Sequence, residues 1–149
     1  MDTLHAGKYL TFFLGEQEFG FEILKVQELI GVIVITAVDE KPPYFKGTIN
    51  LRGEEIPVID LRLKFGMEEI EITPNTTIIV VDVDSTIVGV IVDQVSMVQD
   101  ITAVEVTEAP STGTSVDQRF ILGVARENIV LLDIKEILSE DLLHLKALS

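Results

Sequence analysis

The chain carries one pattern twice. Gly20-Phe21-Glu22-Ile23, continuing through Val26 to Leu29, lines up with Gly89-Val90-Ile91-Val92, continuing through Val95 to Val98. Ile56-Pro57-Val58-Ile59-Asp60-Leu61 lines up in the same order with Ile129-Val130-Leu131-Leu132-Asp133-Ile134. The offset is about 70 residues both times, and the copies keep their order. A unit of that size is too small to bury much surface alone. Two small barrels packed face to face solve that problem.

The segments between the repeats are short and β-rich, and turn residues separate them. Tyr9–Leu14 and Glu18–Phe21 flank the turn Gly15-Glu16-Gln17. Ile23, Val26 and Ile30 recur at helical spacing, which predicts one short helical face. Gly31–Val38 is expected as a strand, followed by the proline-bearing loop Asp39–Pro43. Strands Thr48–Leu51 and Glu55–Ile59 enclose Arg52-Gly53-Glu54, and Leu61–Phe65 makes one helical turn that Gly66 stops. Gly66–Thr76 is a connector. Thr77–Val83 and Thr86–Val92 form a second hairpin around Asp84-Ser85, and Ile101–Val106 is a further strand. Glu108–Gln118 is a surface loop, and Phe120–Ala125 and Ile129–Leu132 complete the strands. Asp133, with Glu136 three residues on, caps a C-terminal helix that has Ile134, Ile137, Leu138, Leu142 and Leu145 on one face. The fold class is thus all-β with short helices. The two five-stranded subdomains are expected at roughly 15–75 and 76–132, with terminal segments exchanged between them, inside one domain spanning 1–149.

Composition narrows the function. Asp and Glu number 25 against 11 Lys and Arg, for a net charge of −14. No basic block exists to draw a phosphate backbone, which argues against nucleic acid, and an anionic membrane would repel the chain. There is no cysteine, so disulfides and thiolate metal sites are ruled out. Residues 1–8 lack the form of a signal peptide. The longest apolar run, Leu29–Val38, is far short of the roughly 20 residues of a membrane span. The cytoplasm is the expected compartment. Met1 and Ser149 are expected to enclose one complete unit.

The catalytic inventory is thin. His5 and His144 are the only neutral-pH bases, and neither has a nucleophile or metal partner nearby in sequence. Asp60, Asp93 and Asp133 each end an apolar strand. Three carboxylates suffice for a cation or for acid–base hydrolysis, but Asp60 and Asp133 occupy equivalent repeat positions just before helical turns, where helix capping accounts for them. There is no phosphate-binding glycine loop and no nucleophile elbow. The expectation is no enzyme, no cofactor and no metal, with a carboxylate-dependent hydrolase as the reading from a different class.

One segment exceeds what folding requires: Phe45-Lys46-Gly47-Thr48-Ile49-Asn50-Leu51-Arg52-Gly53-Glu54-Glu55-Ile56-Pro57-Val58-Ile59-Asp60-Leu61-Arg62. It closely resembles the signature of the bacterial chemotaxis coupling proteins, the CheW family. Tyr9–Gly15, Glu18-Phe19-Gly20 and Ile23–Glu28 resemble the family's opening, Val88–Val95 its second-half motif, and Phe120–Val124 with Ile129–Ile134 its closing strands. The similarity covers about residues 8–140 in the family's order.

The resemblance implies two intertwined SH3-like barrels, in agreement with the repeat. It also implies an adaptor, monomeric when free, between the cytoplasmic tip of transmembrane chemoreceptors and the regulatory domain of the histidine kinase CheA. Receptors would recruit it to the inner face of the membrane. The alternative within the same resemblance is the regulatory domain of a CheA-type kinase or the adaptor half of a CheW–receiver protein. The resemblance places Val26, Gly47, Arg52, Gly89 and Val98 in the receptor-binding set and Glu28 toward the kinase. Arg52 offers a planar fork to a partner carboxylate, or is a solvated turn arginine. Gly47 and Gly89 admit a close backbone approach, or serve a bulge or turn. Val26 and Val98 are groove residues or core, and Glu28 is placed to pair with Arg52 or to face the kinase barrel.

Overall fold

The computed structural model describes residues 6–32, 35–37, 42–108 and 116–141. Among the described residues there are eleven strands: β1 (Gly7–Leu14), β2 (Gln17–Glu22), β3 (Val26–Gly31), β4 (Phe45–Leu51), β5 (Glu54–Asp60), β6 (Thr77–Val83), β7 (Thr86–Val92), β8 (Gln94–Ile101), β9 (Val106–Thr107), β10 (Ile121–Ala125) and β11 (Ile129–Leu132). Two short helices, α1 (Leu61–Lys64) and α2 (Ile134–Leu138), follow β5 and β11. Asp60 accepts the Leu63 N–H and Asp133 the Glu136 N–H, so both carboxylates cap as the repeat implied. No described helix is long and apolar enough to cross a membrane.

The strands form a six-stranded sheet in the order β8-β1-β2-β11-β10-β9 and a five-stranded sheet in the order β3-β6-β7-β5-β4. These are the two SH3-like subdomains, one of them widened by the two-residue strand β9. The sheets do not divide the chain at residues 75 and 76. Residues 26–92 supply the whole five-stranded sheet, and residues 7–22 with 94–132 supply the other. Each repeat has given its first hairpin, β1–β2 or β6–β7, to the sheet of the other repeat. The donated hairpins enter through parallel pairings, β2 with β11 and β7 with β5. Among the described residues the chain crosses between sheets at two places: the 3₁₀ turn Ile23–Lys25, and the single residue Asp93 between β7 and β8.

Side chains alternate across each sheet, which produces three cores. Ile49, Ile56, Val58, Ile78 and Val80 cluster on one face of the five-stranded sheet, and Tyr9, Ile101, Ala125, Ile129 and Leu131 on one face of the other. The opposite faces share a third and larger cluster. A row of rings runs through it: Phe21 and Phe19 lie 4.8 and 5.9 Å from Phe12, Phe65 lies 5.8 Å from Phe19, and Phe120 lies 6.1 Å from Phe65. This row carries the packing from β1–β2 past α1 to the turn before β10.

Three sequence expectations need correction. Ile23, Val26 and Ile30 do not make a helical face: residues 23–25 are one 3₁₀ turn, and β3 alternates half-buried Val26, Glu28 and Ile30 with exposed Gln27, Leu29 and Gly31. A spacing of four is also twice the strand period, and the edge pairing with β6 decided the outcome. The strand expected at 31–38 ends at Gly31, with one isolated bridge from Thr36 to Thr48; residues 33, 34 and 38 lie outside the described set. The strand expected at 101–106 breaks at Thr102, where a capping box with Glu105 builds a 3₁₀ turn before β9. His5, His144, Leu142, Leu145 and most of the 108–118 loop lie outside the described residues.

Candidate functional site

The turn between β4 and β5 is two residues long, with Arg52 at φ 51° and Gly53 at φ 89°. Both are positive, as a tight hairpin with right-handed strand twist requires. The Asn50 side chain fixes the turn by accepting the Gly53 N–H at 3.1 Å. Arg52 is thereby held at the surface, where its guanidinium donates to both oxygens of Glu28, with Nη1 to Oε2 at 3.2 Å and Nη2 to Oε1. The Arg52 hydrogen bond holds the Glu28 carboxyl below its usual range. Since β3 and β4 are opposite edges of their sheet, this pair helps close the sheet upon itself.

The other subdomain has its own version. The turn after β10 places Arg126 at φ 50° and Glu127 at φ 68°. Arg126 donates through Nε to Glu105 at 2.6 Å and through Nη2 to the Asp100 carbonyl at 2.7 Å. It also reaches the Gln99 side chain on β8. It thus joins the β10–β11 turn to β8, across the open side of the six-stranded sheet. Sequence reasoning missed Arg126, although the repeat that pairs β4–β5 with β10–β11 was the signal for it.

The remaining sequence-predicted residues fall into two groups. Val26 and Val98 sit on β3 and β8, the edge strands of different sheets. Val26 is half-buried and packs against the shared core, whereas Val98 is exposed beside exposed Met97. By the repeat offset, Val98 corresponds to Leu29, also exposed, and Val26 to Val95. Gly47 and Gly89 are buried. Gly47 has φ 133° at the bulge between β4 and β5, and a Cβ there would overlap the Thr36 carbonyl. The backbone that approaches Gly47 is the chain's own. At Gly89 a Cβ would meet Ile78 Cγ2 at 2.9 Å and Val58 Cγ2 at 3.3 Å.

Asp93, the third carboxylate in the sequence inventory, binds Arg62 through two bonds of 2.7 and 2.6 Å and accepts the Gly15 N–H at 2.7 Å. Burial pushes the Asp93 carboxyl up, but the guanidinium and the Gly15 N–H outweigh it and hold the group below its usual range. Asp60 is pushed up by burial. The three carboxylates therefore have separate structural partners, and among the described residues no cluster of His, Cys, Asp and Glu could hold a metal ion. Two apolar side chains stand out bare: Leu24 is 94% exposed on the turn before β3, and Val104 is 92% exposed on the capped turn before β9. Isolation of that kind marks a contact residue only when a partner covers it.

Comparison with known proteins places this arrangement. A family model described as the CheW-like domain matches residues 8–142. The chain is 36% identical to the chemotaxis protein CheW of Klebsiella aerogenes, over 90% of this chain and 82% of that one. It is 34% identical to a probable chemotaxis protein CheW of Rhizobium etli, over 88% and 86%. The crystal structure of the scaffolding protein TtCheW from Thermoanaerobacter tengcongensis superposes with a TM-score of 0.77 at 34% identity, covering 86% of this chain and 89% of that one. With its duplicated sheets, its paired turn arginine and a match that runs nearly end to end, the chain belongs to the CheW-like domain family.

Proposed function

We propose that this chain is a chemotaxis coupling adaptor, joining the cytoplasmic tip of a chemoreceptor to the regulatory domain of the histidine kinase CheA, and that it works by binding without catalysing a reaction. The observation that carries this reading is the likeness to CheW proteins over residues 8–142. A helical receptor tip needs an apolar strip with a few orienting polar groups. Val98 with Met97 on β8, and Val26 with Leu29 on β3, supply apolar side chains on the edges of both sheets. Arg52 supplies the orienting group. Gly47 and Gly89 serve the receptor surface through shape, because a side chain at either would push out the strands around it. Glu28 faces the kinase.

The Arg52–Glu28 pair makes these two assignments neighbours. A receptor carboxylate that takes the Arg52 fork must draw it from Glu28, so the two partners meet at one ion pair. The unbound adaptor is a cytoplasmic monomer, recruited to the membrane through receptors. The test is binding of a receptor cytoplasmic fragment and of the isolated kinase regulatory domain to wild type and to Arg52→Ala. Wild type binds both, and Arg52→Ala weakens receptor binding at an unchanged melting temperature. Wild-type protein that is folded and binds neither would refute the adaptor.

A further inference from the structure

The two subdomains meet through an apolar core, which attracts without regard to direction, and among the described residues they are joined covalently at two crossings, Ile23–Lys25 and Asp93. Directional contacts between them concentrate on one helical turn. Arg62, the second residue of α1, holds Asp93 at one crossing, and the same carboxylate holds the backbone of the β1–β2 turn at Gly15. Lys64, two residues on, reaches the other way to Asp141 at 2.7 Å, past the end of α2. Tyr44 donates to the second oxygen of Asp141 at 2.6 Å, and the Lys64 ammonium lies 4.3 Å from the centre of its ring. The side chains of both pairs are largely buried, with Arg62 13% and Lys64 7% exposed.

The repeat shows that this is not a by-product of symmetry. The counterpart of Asp93 at the first crossing is Leu24, bare to solvent. The counterpart of Arg62 is Lys135, whose link to Asp84 is long, at 3.3 Å, and half-exposed. Among the described residues, one of the two helical turns grips the opposite subdomain with buried charge, and the other does not.

We propose that α1 is a two-armed clamp, and that Arg62 and Lys64 are positioning residues that set the angle between the five-stranded and six-stranded subdomains. Resting on the adaptor reading, the consequence is selective. A receptor tip that touches Val26 on β3 and Val98 on β8 needs both sheets in register, whereas a kinase domain that docks at Glu28 needs one. A buried, hydrogen-bonded ion pair suits this task because it specifies geometry more than it adds stability.

The chain has no cysteine, so spin labels at Gln27→Cys and Ser96→Cys report the β3–β8 distance by pulsed electron resonance. In the wild-type background the distance distribution is narrow. In Arg62→Gln/Asp93→Asn, which keeps side-chain size and an amide pairing, and in Lys64→Met, it broadens or shifts. Affinity for the receptor fragment falls at least tenfold, and affinity for the kinase domain stays within about threefold. Should the double variant not fold, Arg62→Lys, which keeps the charge and loses the fork, is read in the same way. A folded variant with the wild-type distribution overturns the clamp. A broadened distribution with equal losses for both partners overturns the positioning role and leaves a stabilising one. If the distribution broadens but wild type binds neither partner, the clamp stands and the adaptor reading falls.

Discussion

Gly47 and Gly89 share a residue type, yet their surroundings require different things of them. Gly47 combines a φ of 133° with the Thr36 carbonyl lying where a Cβ would go, so Gly47→Ala must both strain its own backbone and displace the 35–37 segment. That substitution should cost about 3 kcal/mol or more. At Gly89 the backbone is ordinary and the obstacles are the methyl ends of Ile78 and Val58, which can shift a little; Gly89→Ala should cost about 1–2 kcal/mol. Urea denaturation of the two variants beside wild type measures both, and equal costs would contradict the assignment. Glu105 is the other residue with a distinctive environment. The Arg126 guanidinium first, then the backbone and hydroxyl of Thr102, pull its carboxyl down to about 2. A group with a lowered folded pKa stabilises the fold above its unfolded value of 4.5 and loses that contribution as the pH falls toward 2. In a carboxyl-carbon NMR titration Glu105 should be among the last side chains to protonate. Arg126→Gln should raise its midpoint only part of the way, because the Thr102 bonds remain.

At the scale of elements, much was legible in the sequence where a local rule had one solution. Asp60 and Asp133 precede apolar helical turns and both cap them. The hairpin turns at Gly15-Glu16, Arg52-Gly53 and Asp84-Ser85 all fall where turn residues interrupt β-rich runs. The failures came where two rules competed. Residues 23–30 satisfy a helical spacing and a strand alternation together, and only pairing with β6 separates them. Arg62 stood inside the signature and Asp93 in the carboxylate inventory, but nothing local joins residues 31 apart; the hairpin exchange brings them together. The capping reading can be tested directly. Asp133→Ala removes the acceptor for the Glu136 N–H at 3.1 Å and should cost about 1 kcal/mol. Asp133→Asn, which keeps an acceptor oxygen, should recover most of that in thermal denaturation. If the two variants melt alike and well below wild type, the carboxylate charge, not the cap, is what matters at this position.

The whole molecule depends on the hairpin exchange. Residues 26–92 form a sheet that is continuous in sequence and makes all its own strand pairings. By pairing alone it could be an independent unit. Its packing argues otherwise: Ile59, Ile79, Val81, Val83, Val88 and Val90 are fully buried, and all six belong to the cluster shared with the other subdomain. Cut out, the segment would turn that face to water, and its remaining core is the small Ile49–Val80 group. Burial at about 25 cal/mol per Å² over so small a core does not offset the entropy of ordering a chain of this length. Residues 26–92 expressed alone should therefore lack a cooperative thermal transition and bind a hydrophobic dye. The complementary fragment, residues 7–22 joined by a flexible linker to 94–141, should behave in the same way. Mixed and refolded together, the two should regain strand-type circular dichroism and a single melt, because each completes the shared core of the other. A sharp melt from residues 26–92 alone would mean that pairing within one sheet suffices. The repeat would then be a duplication of stable domains, and the shared core would set how they are arranged without being needed for either to fold.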